Sequence, residues 1–115
     1  MNQPPLSQGL RQSAAGAYLE KEIAGLSPMG LILKIYDVAI AGCNQRNTDR
    51  ASRALVELIA SLNFEYRDMS TQLFRLYEYC MRCVKSGQFD TALKILTELR
   101  GAWSQVAKDE MRQAG

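Results

Sequence analysis

The stretch from Leu26 to Ile40, L-S-P-M-G-L-I-L-K-I-Y-D-V-A-I, limits most narrowly what this chain can fold into. It opens with a helix start. A serine at the N-cap accepts a bond from an orphaned backbone N–H, and a proline in the first turn has no N–H to leave unpaired. Ser27 and Pro28 stand in that order. From there Leu31, Ile32, Ile35, Ala39 and Cys43 recur at helical spacing and define one face. Leu33, Tyr36 and Ile40 carry the apolar surface round the side, with Val38 on a further flank. A surface helix needs an apolar stripe over only part of its circumference. This one requires neighbours on two sides or a partner from outside the chain.

At 115 residues the chain is expected to form one domain with a single core. Its 47% hydrophobic and 23% charged content is ordinary for a globular protein. A net charge of +2, with basic residues interleaved among acids, argues against nucleic acid as a partner. No apolar run is long enough to span a bilayer, and the leading residues M-N-Q-P-P-L-S-Q-G-L-R lack a signal peptide's apolar region. These features predict a cytoplasmic protein with no membrane partner.

Residues 1–16, rich in Gln, Ser, Gly and Pro, are read as a flexible tail, and 111–115 as another. Between them, 17–110 form the domain. Tyr18, Leu19, Ile23 and Leu26 suit a short helical segment that packs on the domain's end or lies as a flap over the surplus apolar surface. Four helices follow. The first runs from Pro28 to about Gln45, and Asn47 or Thr48 caps a second carrying Ala51, Leu55, Leu58, Ile59 and Leu62, with Asn63 suited to its C-terminal end. Asp68 is the expected cap of the third, whose apolar set is Met69, Leu73, Leu76, Tyr77, Cys80 and Val84, widened by Phe74 and Met81. Gly87 ends it. The fourth begins near Asp90 and carries Ala92, Leu93, Leu96, Leu99, Trp103 and Val106. No alternation long enough for a strand occurs. Helices of similar length joined by short loops predict an all-α, antiparallel up-down-up-down four-helix bundle with a short N-terminal helical segment.

Chemistry has little to work with here. The chain has no histidine, so the commonest general base and metal ligand is missing. Glu57, Glu65, Glu78 and Glu98 are scattered over different elements, and no Gly-rich phosphate loop is present. Three cysteines cannot pair completely, and the Cys80–Cys83 spacing lies inside a helical pattern, where packing is the expected role. Asp37, among apolar neighbours, is expected to face solvent or to pair with Lys34 or an arginine of another helix. The reading is of a protein that is not an enzyme and that needs no cofactor and no metal. What remains is apolar surface, which on a small protein marks a binding site, often for an amphipathic helix.

Four segments in order carry a resemblance: Tyr18 ahead of Leu26–Ile40, S-L-N-F-E (Ser61 to Glu65), L-x-x-L-Y-E-Y (Leu73 to Tyr79), and L-T-E-L-R-G-A-W (Leu96 to Trp103). Together they resemble the flagellar secretion chaperones of the FliS type. That resemblance implies a bundle that binds the disordered C-terminal segment of newly made flagellin, prevents its premature polymerisation and assists flagellar type III secretion. A disordered segment that folds on binding needs a wide surface to offset its ordering cost, which suits the surplus noted above. Joined to that surplus, the resemblance implies a client surface built from Leu33, Tyr36 and Ile40 of the first helix and Leu55 and Leu58 of the second. The third helix adds Phe74, Tyr77 and Met81. Tyr18 and Ile23 take the place of an N-terminal flap. The export apparatus and other flagellar regulators are further partners it allows, with the protein a monomer or dimer.

The chain departs from the family in being shorter at two turns, between Tyr36 and Leu62 and between Tyr77 and Trp103, so this is a shortened or divergent member. Removing matched lengths from paired helices trims one end of a bundle without changing which faces meet. A different reading of the same surplus is an obligate helical homo-oligomer, or an adaptor for another flagellar client.

Overall fold

A computed structural model describes residues 27–114, and all of the following concerns those residues. They form four helices and no strand: α1 (Pro28–Asn44), α2 (Thr48–Ala60), α3 (Arg67–Lys85) and α4 (Phe89–Ala114). The expected N-terminal segment, with Tyr18 and Ile23, lies outside the described residues. Each helix packs on two others: α1 on α2 and α4, and α3 on α2 and α4. The result is a four-helix bundle.

Local chemistry sets most of the boundaries. The Ser27 side chain accepts from the Gly30 N–H at 3.1 Å, with Pro28 beginning the helix. At its far end α1 closes with two backbone bonds, Asn47 N–H to Gly42 C=O at 2.9 Å and Arg46 N–H to Cys43 C=O at 3.1 Å. This pattern requires a left-handed residue just past the helix, normally glycine. Here Arg46 fills it at φ 52°, held by its contacts: a 3.3 Å bond to Asp90 and a position 5.7 Å from the centre of the Phe89 ring. The end of α3 repeats the pattern with Gln88 N–H to Cys83 C=O at 2.7 Å, and here the left-handed residue is Gly87 at φ 80°. Asn47 caps α2, as expected, by accepting from the Arg50 N–H at 3.0 Å.

Elsewhere the structure differs from the sequence reading. Asp68 does not cap α3; Tyr66 holds the N-cap position without a side-chain bond, and Asp68 lies in the first turn. Asn63 instead turns the chain, accepting the Glu65 N–H at 3.0 Å through its side chain while its carbonyl takes the Ser70 hydroxyl at 2.5 Å. Nor are the helices alike in length, with 13 residues in α2 against 26 in α4. The last helix continues to Ala114, through residues expected to form a tail.

The core is centred on Ile35, Tyr36, Ala39 and Cys43 of α1; Ala51, Ala54, Leu55 and Leu58 of α2; Tyr77, Cys80, Cys83 and Val84 of α3; and Phe89, Ala92 and Leu96 of α4. The inward line of α1 therefore passes through Tyr36, not through Leu31, which is exposed. The reason is Gly42, whose Cα faces the Ala51 backbone so closely that a methyl group there would lie 2.7 Å from the Ala51 nitrogen. That close approach of α1 to α2 fixes how α1 is rotated. Small residues permit such spacing; larger ones would hold the helices apart.

Contacts between α1 and α4 fix one relative direction. Arg46, just past α1, meets Asp90 at the start of α4, while Asp37 in mid-α1 meets Arg100 further along α4. As one chain advances the other retreats, the order that oppositely directed helices produce. It also puts the α1–α2 turn beside the α3–α4 turn, at one end of the bundle.

Candidate functional site: an apolar pocket at the open end of the bundle

At the other end the four helices leave a pocket of about 170 Å³. Its walls come from Met29 and Ile32 at the start of α1, from Ser61, Leu62 and Asn63 just past α2, and from Tyr66, Met69, Ser70 and Leu73. Tyr77 and Trp103 complete it. None of these side chains is charged. The pocket lies where α2 stops at Ala60 and the chain crosses to α3 through a largely exposed connection. Phe64, Tyr66 and Met69 stand out from that crossing, each more than half exposed (55%, 67% and 55%). Leu76, one heptad beyond Met69 on the same flank of α3, and Tyr79 extend the apolar surface along the helix.

Behind the pocket three polar tips meet inside the bundle. The Tyr36 and Tyr77 hydroxyls are 2.6 Å apart, and Trp103 Nε1–H donates to the Tyr36 oxygen at 3.1 Å. The two phenol rings are tilted by 59° with centroids 6.3 Å apart, a geometry favourable to aromatic pairs. Burial, with the bond to Tyr77 adding to it, pushes the Tyr36 hydroxyl far above the ordinary phenol range, and burial also raises Tyr77. Both therefore stay protonated at neutral pH and act as hydrogen-bonding groups, not as acids. The thiols behave likewise. Burial, together with the neighbouring Cys83 and Cys43, pushes Cys80 up to about 12, and burial raises Cys43. All three cysteines are free and buried, which fits a packing role.

Asp37 takes the partner on another helix. Arg100 holds its carboxylate through two nitrogens, at 2.5 and 3.3 Å. Both side chains remain a third or more exposed, so this fork serves mainly to fix α1 against α4. Among the described residues no cluster of Cys, Asp and Glu is arranged to hold a metal ion. Nor is any described helix long and apolar enough to cross a membrane.

The residues proposed from sequence as client contacts divide into two groups. Tyr36, Leu55 and Leu58 are wholly buried and Tyr77 is 2% exposed, so these four offer a partner almost no surface in this structure. They are the bundle's own packing, because each sits at the centre of its helix's inward face; only Tyr77 also borders the pocket. Leu33, Ile40, Phe74 and Met81 are half-buried, with Ile40 and Met81 packed against the core. Of the apolar side chains that reach outward on and beside α3, the sequence reading places Phe64 and Tyr66 in a connection and Met69 and Leu76 in the helix's apolar set, and gives Tyr79 no role of its own. The signal that could have singled out Phe64 and Tyr66 was their place in a polar connection, F-E-Y-R-D, where no core demands an aromatic ring.

A family model described as flagellar protein FliS matches residues 44–110, from the end of α1 through most of α4. Searches of curated proteins and of solved structures returned no match. The matched span covers more than half of the 115-residue chain and three of its four helices, and excludes Leu26–Ile40, so that it supports the resemblance with residues independent of that opening stretch. By that match, and with a helical bundle to carry it, the chain belongs to the flagellar protein FliS family.

Proposed function

We propose that this protein is a cytoplasmic export chaperone for flagellin, binding the disordered C-terminal segment of that client before secretion. Membership of the FliS family supports the broader role of a chaperone in flagellar assembly. The observation that carries the finer reading is the apolar surface around Phe64, Tyr66, Met69, Leu76 and Tyr79, joined to the pocket at the open end of the bundle. A chain that folds as it binds recovers its ordering cost only by burying a large area, on the order of 1,000–3,000 Å². An elongated bundle of 43 × 33 × 28 Å has faces long enough to host helices of such a client. The contact set we favour is therefore this outward group, to which the half-buried Leu33 and Phe74 add what surface they expose. Tyr36, Leu55, Leu58 and Tyr77 support it from beneath.

The test is calorimetric titration with a peptide from the C-terminus of the same organism's flagellin, accompanied by sizing chromatography. The reading expects a one-to-one complex, an increase in helical circular dichroism and a negative heat-capacity change. Absence of heat and of a complex would refute flagellin as the client. A dimer whose mass does not change with dilution, and which binds no peptide, would favour the homo-oligomer. Substituting Met69 and Leu76 together by serine should weaken the complex at least tenfold without unfolding the bundle, because both side chains are already exposed.

A further inference from the structure

Among the pocket's walls, the Asn63 amide and the exposed Tyr66 hydroxyl lie near the rim, and the hydrogen bonds deeper in leave one buried donor over. The Ser61 hydroxyl donates to the Leu58 carbonyl at 2.7 Å and the Ser70 hydroxyl to the Asn63 carbonyl, so neither wall serine has a proton to offer. The tyrosine–tryptophan group holds three protons, from Trp103 Nε1 and two hydroxyls, but makes only two bonds. Trp103 donates to Tyr36. The remaining bond between the hydroxyls runs from Tyr36 to Tyr77 or the reverse. If Tyr77 donated, the proton left over would belong to Tyr36, which is fully buried and does not line the pocket. An unmet donor sealed in the interior costs more than one that can reach a cavity. The favoured order is therefore Trp103 to Tyr36 to Tyr77, which leaves the unmatched proton on Tyr77, the one of the two tyrosines that lines the pocket. Tyr77 is 98% withdrawn from solvent, so bulk water reaches this donor poorly.

From this we propose that the pocket is an anchor subsite for one uncharged side chain of a partner polypeptide, apolar along its stem and ending in a carbonyl or amide oxygen that accepts from Tyr77. The absence of charge from the walls disfavours a carboxylate or an ammonium, whose burial is costly without a counter-ion. The volume fits a single side chain: an apolar cavity of about 150 Å³ is enough to hold benzene. The exposed Phe64, Tyr66 and Met69 form an apolar collar beside the opening, over which the rest of the partner segment can lie. The subsite takes from the flagellin reading only the identity of the partner; its chemistry can be tested without one.

Two small molecules of nearly equal shape separate the hydrogen bond from apolar filling: acetophenone, which has an acceptor oxygen, and α-methylstyrene, which has a methylene group in its place. Binding to the full chain is followed through the methyl signals of Met29 and Met69, one at each side of the pocket, using ¹³C-methyl-labelled methionine. Both probes should shift these signals. In Tyr77→Phe the affinity for acetophenone relative to α-methylstyrene should fall about fivefold, the worth of one neutral hydrogen bond. In Tyr36→Phe the preference should persist, since the Tyr77 hydroxyl remains. Circular dichroism establishes that both variants are folded. Failure of either probe to shift the Met29 and Met69 signals overturns the proposal, as does a probe preference unchanged by Tyr77→Phe. Neither result bears on whether flagellin binds elsewhere on the surface, so the two readings can fail separately.

Discussion

Two glycines on helices of the same bundle should respond oppositely to the same added methyl group. Glycine in a helix interior costs about 0.5–1 kcal/mol relative to alanine, so Gly→Ala stabilises wherever the methyl group has room. At Gly101 in α4 nothing lies within 4 Å of the position a Cβ would take. Gly101→Ala is expected to add about 0.5–1 kcal/mol of stability. At Gly42 the new Cβ would meet the Ala51 nitrogen at 2.7 Å, its Cα at 2.9 Å and its Cβ at 3.1 Å. Two of these are backbone atoms, so relief requires α1 and α2 to separate where they pack most closely. Overpacking of this kind costs about 1–3 kcal/mol, which exceeds the propensity gain. Gly42→Ala should therefore destabilise by about 1 kcal/mol or more, and the two variants should differ by some 2 kcal/mol. Urea unfolding followed by helical circular dichroism measures this directly, as opposite shifts of the midpoint with an unchanged slope; each 1 kcal/mol moves the melting temperature by about 4–8 °C in a domain of this size. If Gly42→Ala stabilised the protein as much as Gly101→Ala, the close approach of α1 to α2 would be refuted, and with it the rotation that points Tyr36 inward.

Three further outcomes follow from the interior. Tyr36→Phe removes bonds to both Tyr77 and Trp103 and should cost about 1–3 kcal/mol, while the Tyr36→Phe/Tyr77→Phe double variant should cost less than the sum of the single changes; strict additivity would show that the hydroxyls do not interact. The three thiols should resist a water-soluble thiol reagent in the native protein and all react in denaturant, since each is at most 2% exposed; rapid native labelling would contradict the packing. Stability should fall as pH rises. Cys43, Cys80, Tyr36 and Tyr77 all have folded-state values raised above the ordinary thiol and phenol values of 9.0 and 10.0. Their contribution is thus fully present below about pH 8 and is lost progressively above about pH 9, where the unfolded chain releases protons that the folded chain retains. Denaturant midpoints constant to pH 11 would exclude it.

Much of the architecture was legible from local chemistry. Ser27–Pro28 and Asn47 marked two helix starts, Gly87 a stop, and the 3.6-residue period the number of helices, because caps and periodicity depend on neighbours in the chain. The third helix was harder to bound. Asp68 looked like a cap, but Asn63 and Ser70, seven residues apart, tie that crossing together through a bond no local pattern announces.

The apolar surplus between Leu26 and Ile40 showed that one helix had more surface than a bundle needs. It could not show which side chains would be left outside. That depended on helix rotation, and rotation was set by contacts distant in sequence: Gly42 against Ala51, Asp37 against Arg100, Tyr36 against Tyr77 and Trp103. A turn of tens of degrees about a helix axis exchanges a buried residue for an exposed neighbour without altering the hydrophobic pattern. Tyr36 and Tyr77 thereby became interior groups, whereas Met69 and Leu76 came to the surface. Local pattern along the chain is enough to imply four helices with more apolar surface than one stripe each would use. Where that surplus emerges is settled by packing, because inter-helix spacing depends on side-chain size at crossing points far apart in the chain.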